Sequence, residues 1–180
     1  RATSLPGYPL DTDPETAIPL DAAGSLSPPY SAKFVIVPST DNTSPDATME
    51  VQTSTVLTDF VFEGAIHIER SEPGEVARLL LLSTDAGSFY LNQDGEVRQS
   101  GNTLGNVGPI PTGRWITIRV EATADPPSAI YVIDGTRHGP FSLAASWEND
   151  PVLARFGVSE ANSPTTGWIV RWDNIVIRKL

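Results

Sequence analysis

His67 is the side chain of this sequence best suited to moving a proton, because an imidazole titrates near neutral pH. It lies in the run FVFEGAIHIER, residues 60–70, between Glu63 and Glu69. In an extended segment Glu63 and His67 share a face. They stand four residues apart, however, roughly 13 Å at about 3.3 Å per residue. A retaining glycosidase needs two carboxyls about 5 Å apart, so this run alone makes no acid–nucleophile pair. A histidine in a strand also reads as an ordinary hydrogen-bonded surface residue, and His138 reads the same way.

The other candidates are spread over several segments. GRWITIRVEA, residues 113–122, offers Trp115, Arg119 and Glu121, and AIYVI, residues 129–133, offers Tyr131. Arg155 and Arg171 complete the set. Sugars are held by aromatic stacking on their C–H faces together with planar hydrogen-bonding groups. Glu63, His67, Glu69, Trp115, Arg119, Glu121, Tyr131, Arg155 and Arg171 are therefore the candidate ligand-binding residues. The same charged side chains on a solvated sheet would form cross-strand ion pairs worth roughly 0.2–1 kcal/mol each. Both readings stay open here. By its own residues Asp173 is suited to a local hydrogen bond holding a bulge at Asp173–Asn174. The acidic stretch around Asp41, Asn42 and Asp46 reads as a turn, and Asn42-Thr43-Ser44 is an N-glycosylation sequon.

Composition closes other routes. The 180 residues contain no cysteine, which removes disulfides, thiolate zinc sites and cysteine nucleophiles. Twenty-two acidic residues against twelve basic ones give a formal net charge of −10, a field that repels nucleic acid and anionic lipid. No apolar run is long enough for a membrane span. No phosphate loop, nucleophile elbow or metal-hydrolase helix is present. Arg1 reads as a processed or trimmed start, and the Ser/Thr/Pro-rich composition suggests an extracellular or cell-surface setting.

These residues need strands to position them. Sixteen Pro and fourteen Gly disfavour helices and suit many short strands joined by turns. Period-two alternation predicts strands at 32–37, 47–56, 60–70, 76–83, 88–93, 96–99, 114–122, 129–134, 138–142, 152–158 and 168–179. Asp94-Gly95 and Asp134-Gly135 are two-residue hairpin signals. Only 145–150, around Trp147, suggests a helical turn. Residues 1–31, rich in Pro and Gly, form an irregular arm that runs over the surface or adds an edge strand, and 32–180 form the domain. Ile116, Ile118 and Val120 point to one side of their strand, with Trp115, Thr117, Arg119 and Glu121 on the other. Trp168 and Trp172 belong to the core, whereas Trp147 and Tyr90 are freer to be exposed.

Three stretches carry a family resemblance. GRWITIRV…AIYVIDGTRHG resembles the strand–hairpin unit of laminin-G-like and pentraxin-like jelly rolls, through Gly113, Trp115, Ile116, Ile118, Val120, Tyr131, Val132, Asp134 and Gly135. WDNIVIRK at the C-terminus is similar to the closing strand of laminarinase-type glucanases, and SPPYSAKFVI to an early strand of bacterial jelly-roll modules. The resemblance implies an all-β fold, a two-sheet antiparallel jelly-roll sandwich of the concanavalin A-like kind. It also implies a structural calcium ion on Asp173, the Asp that precedes the alternating Ile and Val of WDNIVIRK, joined by oxygens of the N-terminal arm, with Asp11 and Asp13 as the carboxylates there. The glucanase motif E-x-D-x-x-E is absent. Alginate-lyase-like jelly rolls use an Arg-rich strand, a Gln-x-His strand and a Tyr strand. Here His67 has Ala65 where the Gln would be, and Tyr90 and Asn92 only echo the tyrosine strand. The leading expectation is non-catalytic binding of a polysaccharide or glycan, or adhesion. One alternative is a polysaccharide lyase or hydrolase using His67, Arg119 and Tyr131. The other is a coat, filament or matrix subunit that self-associates through edge strands and the arm.

Overall fold

A computed structural model describes residues 10–12, 20–21, 31–38, 45–147, 150–161 and 165–180. They form no α-helix. The strands are β1 (Leu10–Thr12), β2 (Leu20–Asp21), β3 (Ser31–Ile36), β4 (Ala47–Val56), β5 (Asp59–Arg70), β6 (Arg78–Thr84) and β7 (Gly87–Asn92). They continue as β8 (Glu96–Gln99), β9 (Asn102–Asn106), β10 (Trp115–Ala124), β11 (Pro127–Ile133), β12 (Thr136–Ser142), β13 (Pro151–Ser159) and β14 (Trp168–Lys179). They assemble into two sheets, β1-β4-β13-β6-β7-β8-β9 and β12-β11-β10-β5-β14-β3-β2, with antiparallel neighbours throughout. The strands expected from alternation form the two-sheet antiparallel sandwich that the resemblance implied. Of the arm, β1 and β2 add edge strands, one to each sheet.

The core lies between the sheets and is aromatic. Phe34, Phe156, Trp172 and Phe62 form a chain of ring contacts with centroids 5.8–6.1 Å apart, at tilted or edge-on angles. That is the geometry ring quadrupoles favour. Ile116, Ile118 and Val120 are buried as their phase predicted, and so are Trp168 and Trp172. Trp147 is a correction. No helical turn forms at 145–147, and the indole is 1% exposed against Phe60, donating from Nε1 to the Leu57 carbonyl at 3.0 Å. A single indole in a loop carries no periodicity, so sequence could not orient it.

Turn chemistry divides the two Asp-Gly signals. At Asp134–Gly135 both residues have positive φ, 47° and 79°, as a tight hairpin requires. At 94–95 only Gly95 does, and it closes a turn by donating to the Asn92 carbonyl at 3.1 Å. A Cβ on Gly95 would stand 2.0 Å from the Gly108 carbonyl oxygen, so this glycine permits close backbone packing. The edge strand β9 escaped the sequence reading, because NTLGN has neither alternation nor β-branched density.

Candidate functional site

The outer face of the second sheet gathers most of the predicted residues. On β5 the register turns Phe60, Phe62, Ile66 and Ile68 inward and leaves Glu63, Ala65, His67 and Glu69 outward. Pairing with β10 sets Trp115 beside His67, Thr117 beside Ala65, and Arg119 beside Glu63. Pairing with β14 sets Arg171 beside His67 and Asp173 beside Ala65. Three rows therefore cross the strands. The first holds Arg171, His67 and Trp115, and the His67 and Trp115 rings lie 5.5 Å apart at 41°. The third holds Glu63 and Arg119. The middle row holds Asp173, Ala65 and Thr117, and over the two small residues a hollow of about 370 Å³ opens, bordered by Glu63, Asn174 and Val176.

The third row belongs to an ion-pair ladder. Glu63 accepts from Arg119 at 2.6 Å and Arg178 at 3.0 Å. Glu121 accepts from Arg119 at 2.9 Å and Arg137 at 3.0 Å. Three arginines share two carboxylates, leaving one positive charge in excess on a chain whose net charge is strongly negative. Half-exposed pairs of this kind contribute roughly 0.2–1 kcal/mol each. Their larger effect is to fix the arginine forks in the plane of the face. Arg137 and Arg178 were missed by the sequence reading. A bulge between Asp173 and Val176, with Asn174 at φ 55°, shifts the phase of β14. Val176 and Arg178 then face outward, where unbroken alternation would put Arg178 on the Trp172 side.

Asp134 braces the rim. It accepts from the Thr117 N–H at 2.9 Å and from Arg114 at 2.5 Å. Burial raises its carboxyl, but these bonds outweigh that and hold it below its ordinary range.

Two predicted residues do not join this face, and a third is on it but nearly covered. Tyr131 on β11 pairs opposite Val120 and points into the core, fully buried against Phe141. Its hydroxyl has no hydrogen-bond partner, and burial pushes the phenol well above its ordinary range. It cannot meet a ligand held by His67 and Arg119. Arg155 lies on β13 in the other sheet, donating to Glu50 at 2.6 Å; alternation gives a side chain's phase but not its sheet. Arg171 is on the face but only 5% exposed, bound to Glu69. His67 Nδ1 is buried and finds no hydrogen-bond partner.

The expected metal set is also redistributed. Asp11 pairs opposite Thr48 in the first sheet, away from Asp173 in the second, and Asp13 lies outside the described residues. No group of three His, Cys, Asp or Glu gathers among the described residues. Asp173 is 7% exposed and accepts from the Asn174 N–H at 2.7 Å, the bulge-holding bond. Continuing the β14–β3 register one residue past the Trp172–Ala32 pair would bring Asp173 level with the buried Ser31, which pairs with Asp21 of β2. These are oxygen donors of the type calcium takes.

No family model and no curated protein matches this sequence. Solved structures do. A "Cellulose induced protein, Cip1" superposes with a TM-score of 0.75 at 14% identity, covering 97% of this chain and 92% of that one. An endo-β-1,4-glucuronan lyase from the fungus Trichoderma reesei gives 0.71 at 10% identity, covering 95% and 90%. The family 7 alginate lyase AlgAT5 gives 0.58 at 11%, covering 82% and 77%. These neighbours are jelly-roll sandwiches of the concanavalin A-like superfamily. At such identities the likeness establishes the shared fold and carries no residue across.

Proposed function

We propose that this domain recognises a polysaccharide outside the cell, docking one chain in the trench across the second sheet. The observation that carries this is the hollow over Ala65 and Thr117, bordered by Glu63, with the His67–Trp115 ring pair in the next row across the strands and Arg119 paired to Glu63. Trp115 supplies the stacking surface and Arg119 a planar fork. The ladder's arginine forks suit the carboxylates of an acidic chain, although Glu69 and Asp173 balance the charge of the face as a whole. The names of two neighbours, a glucuronan lyase and an alginate lyase, support the same class. His67, Arg119 and the buried Tyr131 form no catalytic set, so recognition is the stronger reading of this face.

Affinity electrophoresis in gels carrying sodium polyglucuronate or alginate tests this. Wild type is expected to be retarded, less so at high salt. Trp115→Ala should weaken retardation about tenfold, the scale of one aromatic contact. Thr117→Phe, which fills the trench from its exposed floor, should abolish it. Unchanged retardation in either variant ends the proposal. Release of ultraviolet-absorbing unsaturated ends by wild type would replace recognition with lyase action.

We further propose a structural calcium ion at the Asp173–Ser31 row. Chelator should lower the melting temperature of wild type and leave that of Asp173→Asn unmoved.

A further inference from the structure

The outer face of the first sheet holds a second hollow, of about 300 Å³, bordered by Arg78, Tyr90, Asn92, Asp94, Arg98 and Glu160. Tyr90 was expected to be exposed. Instead the Arg78 guanidinium lies over its ring, its carbon 3.9 Å from the centroid, and Tyr90 is 9% exposed. Arg78 also donates to Glu160 at 2.6 Å. Stacked below and paired at one end, this guanidinium is immobilised before any ligand arrives, so little side-chain entropy remains to be lost on binding. Pairing of β6 with β7 brings Asn92 alongside Arg78, and pairing of β7 with β8 brings Arg98 alongside Tyr90. Arg98 is anchored by donating to the Gly101 carbonyl at 2.5 Å.

We propose that this hollow is a second glycan-binding site, for a neutral sugar unit, and that the domain bridges two polysaccharide chains. Donors from Arg78, Asn92 and Arg98 face acceptors from Asp94 and Glu160. That mixture suits hydroxyl groups, each of which both gives and takes a hydrogen bond. An anion is disfavoured, because the carboxylates of Asp94, Glu96 and Glu160 outnumber the two guanidiniums. The ladder on the other sheet has the opposite balance. The two sites open on opposite outer faces of one rigid sandwich, so one chain cannot fill both without wrapping an edge. The second site stands on its own geometry; the bridging rests also on the trench reading.

The test uses the whole protein with soluble hydroxyethyl cellulose as the neutral probe and sodium polyglucuronate as the acidic one. Wild type should bind both and raise the viscosity of their mixture. The double variant Arg78→Gln/Asn92→Ala should lose about tenfold in affinity for the neutral polymer, keep polyglucuronate binding and melt as wild type does. Trp115→Ala should show the reverse selectivity, and either variant should abolish the viscosity rise. Neutral-polymer binding that is absent in wild type, or undiminished in the double variant, overturns the second site. A viscosity rise that persists in either variant overturns the bridging. Normal polyglucuronate binding by Trp115→Ala defeats the trench reading while loss of neutral binding in the double variant still supports this site.

Discussion

The two faces of the second sheet are built from the same strands and do opposite work. Inward, β5 and β10 present Phe60, Phe62, Ile66, Ile116, Ile118 and Val120, all sealed from water. Outward, one residue away in each case, they present Glu63, His67, Trp115 and Arg119 around a floor of Ala65 and Thr117. Inner residues touch other apolar groups on every side, so truncating one leaves a void. Outer residues touch solvent on one side, so truncating one leaves water. Stability should therefore reside in one face and recognition in the other.

Four measurements sharpen or break that division. The largest effect should come from Phe62→Ala, which empties the space against Trp172. Chemical denaturation should show a loss of about 3–5 kcal/mol, and a loss under 1 kcal/mol would mean that the inner face is not the core it resembles.

Acid should act next, through a latch on neither face. Glu72 is buried between the β5–β6 and β13–β14 connections, accepting from Thr165 Oγ1, the Thr166 N–H at 2.6 Å and the Gly167 N–H at 2.8 Å. Burial raises its carboxyl, but the bonds outweigh that and leave it lowered overall. A lowered folded-state value means the stabilisation is complete above the unfolded pKa, near the ordinary glutamate range. It fades as pH falls through the lower folded value. Melting temperature should drop across that window in wild type, and Glu72→Gln should flatten that part of the profile. Identical profiles would dismiss the latch.

A smaller effect, of opposite sign, is expected from Tyr131→Phe. Removing a buried hydroxyl that lacks a partner should raise stability by about 1 kcal/mol without changing glycan retardation. Destabilisation would show that the hydroxyl makes a bond after all. The smallest belongs to Arg137→Ala at the exposed end of the ladder. It should cost no more than about 0.5 kcal/mol in denaturation while reducing polyglucuronate binding measurably at low salt. A core-sized loss there would erase the contrast between the faces.

Much of this division is legible in the sequence. Strands β4, β8 and β14 begin and end where alternation put them. The inward set on β10 and the placement of Trp168 and Trp172 follow from the same period, because a pleated backbone sends successive side chains to opposite sides. The Asp134–Gly135 hairpin was legible because few residue pairs accept two positive φ angles. Edge and loop residues were less so: β9 and Trp147 lack any repeating pattern for a period to reveal.

By itself the sequence determined the class of fold and the phase of the unbroken strands such as β5 and β10, since both depend on neighbours along the chain. Tertiary structure alone decided which strands share a sheet, and hence that Arg155 leaves the company of Arg119 for Glu50. It also decided that Tyr131 is inward, that a bulge turns Arg178 outward, and that Arg78 lies across Tyr90. Each of these depends on partners far away in sequence. Register between distant strands is set by the packing of the whole sandwich, which no local period encodes.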